Sequence, residues 1–273
     1  MIDAAFRDRY GPRALVLGGS EGIGAAFADA LARRGLDLTL VARRAPPLEE
    51  QAERLRARHG VAVDVVGLDL ADEGVEQAAA TLIARHDYGL LIYNAGAAHG
   101  AGLFADRALA GELGLVRLNC LGSVAFTHHA LARMRPRGKG GVILVSSMSG
   151  LAGSGFLATY AAAKSFEIVL AEGLHWEHAA MGIDVMCAIA SLTDTPAMRA
   201  SGMKFDAIPG MAAMDPGAVA EGALAHLGQG PVWCASGQAA LDAARGTNRD
   251  VLIDTVSRMG AALYELEPAP PLR

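Results

Sequence analysis

Leu17-Gly18-Gly19-Ser20-Glu21-Gly22-Ile23-Gly24 closes a short apolar run at residues 13–18 and opens a stretch, residues 23–34, whose apolar positions recur at helical spacing. The local reading is strand, tight turn, helix. Glycines at 18, 22 and 24, spaced G-x-x-x-G-x-G, leave bare backbone beside a helix N-terminus, where a pyrophosphate can approach; Ser20, Glu21 and Ile23 belong to the same turn. Taken alone, the motif serves equally well as an ordinary strand-to-helix turn. Its surroundings decide the fold class. Apolar runs of strand length follow at residues 36–42, 61–68, 90–94, 142–147 and 183–189, with helical segments between them. Such alternation predicts an α/β protein, a parallel sheet joined by right-handed crossovers with helices on both faces.

The helices at residues 46–59 and 72–86 are charged and amphipathic. Residues 109–134 are expected to form two helices or one bent helix. In a second long helix, residues 160–180, Phe166, Val169, Leu170 and Leu174 offer apolar surface to both the sheet and a partner subunit, so a homodimer or homotetramer is expected. No linker interrupts residues 1–267, which read as one domain. Residues 268–273 form a proline-rich tail that cannot continue a helix.

The 273 residues are 52% hydrophobic and 19% charged, which excludes a disordered chain and favours buried parallel strands. A net charge of -5 argues against a nucleic-acid partner. Cys120, Cys187 and Cys234 lack C-x-x-C spacing and read as reduced thiols rather than disulfide or zinc ligands. Residues 1–10 carry Asp3, Arg7, Asp8 and Arg9 without the apolar core of a signal peptide, so a cytoplasmic location is expected. Residues 140–163 are uncharged, but glycines and serines break the run and no membrane span is expected there. His128-His129, and His175 with His178, lack a convincing third ligand, so no metal site is expected.

In folds of this kind the ribose is read at the end of the second strand, about 20 residues after the glycines, where an acid marks NAD. Here that end reads Val41-Ala42-Arg43-Arg44, with Ala42 in the acid's place. Two guanidinium groups would welcome a 2'-phosphate, which points to NADP(H); the same pair also suits a solvated cluster at a helix start, and Glu21 adds opposing charge nearby. Asp69-Leu70, ending the third strand, offers a carboxylate to an adenine amino group or, equally, a helix cap. Asn94-Ala95-Gly96 ends the fourth with small residues, as a flat cofactor across the strand ends requires.

Tyr160 and Lys164, four apart in a helix, project from one face and can reach the same bound group. A free phenol, with a pKa of about 10, exchanges protons poorly at neutral pH, and a nearby ammonium lowers it. By itself Y-x-x-x-K more often marks a surface helix pair. The glycine turn, Asn94-Ala95-Gly96, Asn119, Ser146-Ser147 and Tyr160-Ala-Ala-Ala-Lys164, taken in this order, resemble the short-chain dehydrogenases/reductases over nearly the whole chain. The resemblance implies a doubly wound Rossmann fold with a mostly parallel seven-stranded sheet, and an oxidoreductase acting on CH-OH or C=O. It also implies that Asn119 holds a water on the proton path, Ser147 positions the substrate oxygen, Tyr160 exchanges the proton, Lys164 also binds the ribose, and Thr195 contacts the nicotinamide carboxamide.

The chain departs from the family pattern at Leu17, where threonine is usual, at Tyr93, where a second asparagine is usual, and at Ala190-Ser191, where Pro-Gly is usual. None removes a reacting group, but the rigidity of the turns around the cofactor comes into question. The glycine turn, Ala42-Arg43-Arg44 and Val145-Ser-Ser-Met-Ser-Gly150 together are similar to bacterial 7-beta-hydroxysteroid dehydrogenases. That likeness implies a hydroxysteroid, as one instance of a bulky apolar ketone or secondary alcohol, as the substrate; a reductase of 3-oxoacyl thioesters or small carbonyls, and a non-catalytic dinucleotide-binding sensor or scaffold, are the alternatives.

A lid is expected at residues 197–214, where Met198, Met203, Met211 and Met214 supply adaptable thioethers and Gly202, Pro209 and Gly210 interrupt any helix. The competing reading is a methionine-rich packing loop at a subunit contact. Phe156 and Leu157 are expected on the opposite wall, with His99 as a polar contact.

Overall fold

The computed structural model describes residues 3–96, 100–204 and 212–267. Its seven strands form one sheet in the order β3-β2-β1-β4-β5-β6-β7. They are β1 (Arg13–Leu17), β2 (Asp37–Ala42), β3 (Val63–Gly67), β4 (Tyr88–Tyr93), β5 (Gly140–Ser147), β6 (Ile183–Ala190) and β7 (Val232–Cys234). Every neighbouring pair is parallel, so the sheet is wholly parallel rather than mostly so.

Burial on both faces explains the near-continuous apolar strands. On β1, Ala14 and Val16 enter one core cluster while Leu15 and Leu17 enter the other. The first cluster is covered by α1 (Ala4–Tyr10), α2 (Gly22–Arg33), α3 (Ala45–His59) and, further along, α9 (Pro216–His226). The second lies under α4 (Val75–Ile83), α6 (Gly122–Met134) and α7 (Ala158–His178). Chain order reverses between β1 and β4, which opens a crevice at the carboxyl ends of the strands, where ligands bind in open α/β sheets.

The long helical stretch is α5 (Leu109–Val116) and α6 joined without a loop by a five-residue π-turn, Arg117–Leu121, with the wider winding that often marks functional positions. By length and composition alone Leu109–Arg137 could cross a membrane. It packs against α4 and α7 here. The uncharged run at 140–163 is β5, a 3-10 turn, a loop and the start of α7. Two amphipathic helices, α10 (Gln238–Gly246) and α11 (Arg249–Leu263), complete the chain after the short β7; α8 (Pro196–Ala200) follows β6.

Candidate active site

The turn between β1 and α2 is shaped by contacts that only glycine permits. Gly18 sits at φ +80°, and a Cβ there would lie 2.9 Å from the Ala95 nitrogen. A Cβ on Gly24 would lie 1.9 Å from the Gly18 oxygen. Asn94 Nδ2 donates to that same oxygen at 3.2 Å, so the ends of β1 and β4 are stitched together. Gly22, at φ +58°, faces Thr195, whose Cγ2 would be 3.0 Å from an added Cβ. Thr195 is thereby brought across from the end of β6 to the glycine turn. Its Oγ1 accepts from Met198 N at 3.2 Å and caps α8.

The other binding candidates ring the same crevice. Arg44 donates to Glu21 Oε2 at 2.9 Å, so the opposing charge of Glu21 is spent mainly on Arg44. Arg43 is three-quarters exposed, with Asp69 Oδ2 3.9 Å from its Nη1. Asp69 Oδ1 accepts from Ala71 N at 3.0 Å in a local turn, while α4 begins only at Val75; Asp69 therefore shapes the turn and is not the helix cap. The Leu70 side chain is buried in the core.

Four side chains converge beside these turns. Ser147 ends β5, and its Oγ accepts from Ser149 N at 3.2 Å. Tyr160 stands in the first turn of α7, near enough to Ser147 for the serine hydroxyl to pull its pKa down. Burial raises its pKa, with Lys164 and Ser147 pulling the other way, so the resting phenol is protonated near neutral pH. Lys164, one turn on, is buried and donates to the Val145 carbonyl at 2.9 Å. Asn119 lies in the π-turn with Nδ2 donating to the Leu115 carbonyl at 3.0 Å, whereas its buried Oδ1 has no hydrogen-bond partner among the described residues. A Cβ on Gly96 would lie 2.8 Å from Asn119 Oδ1 and 2.9 Å from Lys164 Nζ, so bare Gly96 keeps these two polar atoms facing a common gap. An aimed acceptor, an ammonium and a glycine cradle fit a dinucleotide with a proton path beside it.

The departures from the family pattern acquire a structural account. Tyr93 is fully buried, and its hydroxyl donates to the Leu118 carbonyl at 2.5 Å, clamping β4 to the π-turn that carries Asn119. Gly122 makes room, since a Cβ there would lie 2.2 Å from that hydroxyl. Tyr93→Phe should cost about 1–3 kcal/mol of stability by leaving the Leu118 carbonyl unpaired. Denaturant melts would measure it, and an unchanged midpoint would refute the clamp. At Ala190-Ser191 the turn is held by Thr193 Oγ1 donating to the Ser191 carbonyl at 2.8 Å and by a Ser191–Ser236 hydroxyl pair. Leu17 simply fills the core.

Phe156, Leu157 and Tyr160 line one cleft with Gly100, Gly102 and Phe104. Phe156 adopts φ 63°, a strained geometry for a bulky residue, and its carbonyl accepts from Gly102 N at 3.0 Å. Met198 and Met203 are half-buried, α8 being joined to the C-terminal segment by Lys204 N donating to the Leu263 carbonyl at 2.8 Å. Met214 is fixed to the β6 exit, its N donating to Leu192 O at 2.8 Å and its carbonyl accepting from Asp194 N at 3.0 Å. These bonds tie the Met214 end of the segment to the β6 exit. His99 and Met211 lie outside the described residues.

The sequence reading missed α11. Ser257 Oγ accepts from Gly155 N at 2.7 Å, and Tyr264 lies close enough to raise the Tyr160 pKa, so the C-terminal helix flanks the wall before Tyr160. It also missed Glu167, buried against Lys164. A charged residue three positions after the lysine, amid apolar neighbours, was the available signal.

Residues 12–204 match the short chain dehydrogenase family. A 7beta-hydroxysteroid dehydrogenase of Clostridium sardiniense is 34% identical over 191 residues, 70% of this chain and 73% of that protein. A short-chain dehydrogenase from Sphingobium yanoikuyae, solved in complex with NADPH, superposes with a TM-score of 0.78 at 30% identity, covering 86% of this chain and 93% of that one. The bulky-bulky ketone specific alcohol dehydrogenase from Comamonas testosteroni gives a TM-score of 0.75 at 29% identity over 86% and 92% of the two chains. With the family matched across most of its length, this chain is an oxidoreductase of the short-chain dehydrogenase family.

Proposed function

We propose that the enzyme interconverts a bulky apolar ketone, of the hydroxysteroid class, and its secondary alcohol, using NADP(H). The observation that carries this reading is the meeting of Asn119, Ser147, Tyr160 and Lys164 at the carboxyl ends of β4 to β6, beside a glycine turn closed to any side chain. An assembled set of this kind argues against a non-catalytic scaffold. When bound, the nicotinamide supplies or accepts the hydride. Gly18, Gly22 and Gly24 admit the pyrophosphate to the N-terminus of α2, with Ser20, Glu21 and Ile23 lining the turn. Arg43 would meet the 2'-phosphate, Asp69 the adenine amino group, Asn94 to Gly96 the face of the cofactor, and Thr195 the carboxamide. Ser147 holds the substrate oxygen and Tyr160 gives it a proton, or removes one in the reverse direction. These two hydrogen bonds stabilise the charge developing on oxygen. Lys164 favours the phenolate left behind, and Asn119 Oδ1 holds the outer end of the proton path.

Substrate size is supported by the names of the relatives, one acting on a hydroxysteroid and one on bulky-bulky ketones. It also fits half-buried Met198 and Met203 after Thr195, whose thioethers adapt to irregular apolar shapes. Met203→Asp should raise KM for a bulky ketone several-fold more than for a small one, since a charge in an apolar site must be desolvated. Steady-state kinetics on a matched ketone pair would check this, and an equal effect on both would defeat the lid.

Assembly into a homodimer or homotetramer belongs to the same proposal. On α7, Leu170 and Leu174 pack on the core, while Phe166 and Val169 remain exposed. Leu113, Val116, Leu121 and Val124 extend an exposed apolar stripe along α5 and α6. Light scattering giving a monomer mass at assay concentration would reject this assembly.

A further inference from the structure

Glu167 is fully buried on α7, and both its oxygens meet the ammonium of Lys164, Oε2 at 2.9 Å and Oε1 at 3.2 Å. The mechanism above gives this carboxylate no task. Burying a carboxylate is expensive, so its place against the lysine next to Tyr160 calls for an explanation in that lysine's chemistry. Lys164 itself is 4% exposed and also bonded to the Val145 carbonyl.

The groups facing Glu167 come from four elements. Lys164 and Tyr160 lie on its own helix, Tyr93 on β4, Cys120 in the π-turn and Cys187 on β6. Burial first, and the Glu167 charge second, push up Tyr93, Cys120 and Cys187, so these three stay neutral through the working range. Burial alone would discharge Lys164, and Glu167 with Tyr160 reverses this and raises it. Burial lifts Glu167 to about 7 against the pull of Lys164.

We propose that Glu167 is a positioning residue for the acid/base pair: its buried carboxylate fixes Lys164 Nζ against the Val145 carbonyl and offsets the positive field that Lys164 exerts on Tyr160. Burial keeps the phenol protonated, and Glu167 adds to this by countering Lys164, favouring the form that carbonyl reduction consumes. Alcohol oxidation, which needs the phenolate, is held back to higher pH. The inference rests on Tyr160 being the proton donor.

Glu167→Gln keeps the shape and a carbonyl acceptor for Lys164 but removes the charge. Loss of the negative neighbour favours phenolate, so the rising limb of the alcohol-oxidation pH profile should move to lower pH by on the order of one unit. NADPH affinity, read by fluorescence titration, should change little. A folded variant with an unmoved limb would overturn the proposal. A limb moved to higher pH would also overturn it, showing that the carboxylate serves only to keep Lys164 charged. Should Glu167→Gln fail to fold, Glu167→Asp retains the charge one methylene further away, and its limb should shift in the same direction by a smaller amount; no shift there would likewise reject the role. Tyr160→Phe separates the two readings: loss of turnover in that variant with no pH shift in Glu167→Gln removes this inference and leaves the acid/base assignment standing.

Discussion

Tyr160→Phe is expected to retain its fold and NADPH affinity while losing about 10²- to 10⁴-fold in the chemical step, the range that general acid catalysis supplies. The ring remains, so packing in the first turn of α7 is preserved, and only the hydroxyl beside Ser147 is removed. Without it the developing alkoxide receives no proton from the protein and keeps a single hydrogen bond, from Ser147. Single-turnover measurement isolates this step from product release. A loss under about tenfold would remove Tyr160 from its role and transfer the proton to a water.

The second large effect falls on the cofactor. Arg43→Ala should weaken NADPH binding by about tenfold or more, because a hydrogen bond to a charged group is worth about 1.5–3 kcal/mol, and should leave NADH nearly unchanged. Arg43 carries this weight because Arg44 is already engaged by Glu21 at 2.9 Å, whereas Asp69 stands 3.9 Å from Arg43. Arg44→Ala should therefore have the smaller effect. Fluorescence titration with both nucleotides gives the comparison, and equal wild-type affinity for the two would reject the phosphate assignment.

The parts legible in the sequence were those governed by local rules. Strand-length apolar runs alternating with helices gave the parallel architecture, since strands buried on both faces have little choice of residue type. The glycine turn was legible because Gly18 and Gly24 answer to backbone contacts that no other residue tolerates. Tyr160 and Lys164 were legible through helical spacing. Boundaries drifted by a few residues, as at the helix expected over 72–86 and observed at Val75–Ile83, because Asp69 and Ala71 build a turn first.

What escaped was tertiary. β7 has three residues and gains its place only by pairing with β6, so no periodicity announced it. The junction between α5 and α6 was open between two helices and a bend, and a π-turn resolves it through the Tyr93 bond to the Leu118 carbonyl. The role of α11 against Gly155, and the burial of Glu167 beneath Lys164, depend on elements distant in sequence or on the inward rotation of one helix face. At Asp69 the sequence suits a cap and a cofactor contact equally, and the local turn rules out the cap.

The central claim is hydride transfer to a ketone with the proton arriving from Tyr160. Its most direct test uses NADPH deuterated on the transferring face of the nicotinamide, incubated with the wild-type enzyme and a steroid ketone, with the product examined by mass spectrometry and NMR. One deuterium on the carbinol carbon, formed by the wild-type enzyme and lost or slowed at least about tenfold with Tyr160→Phe, is the expected result. Unlabelled alcohol, or no consumption of NADPH with steroid ketones and with small aliphatic and aromatic ketones alike, would contradict it.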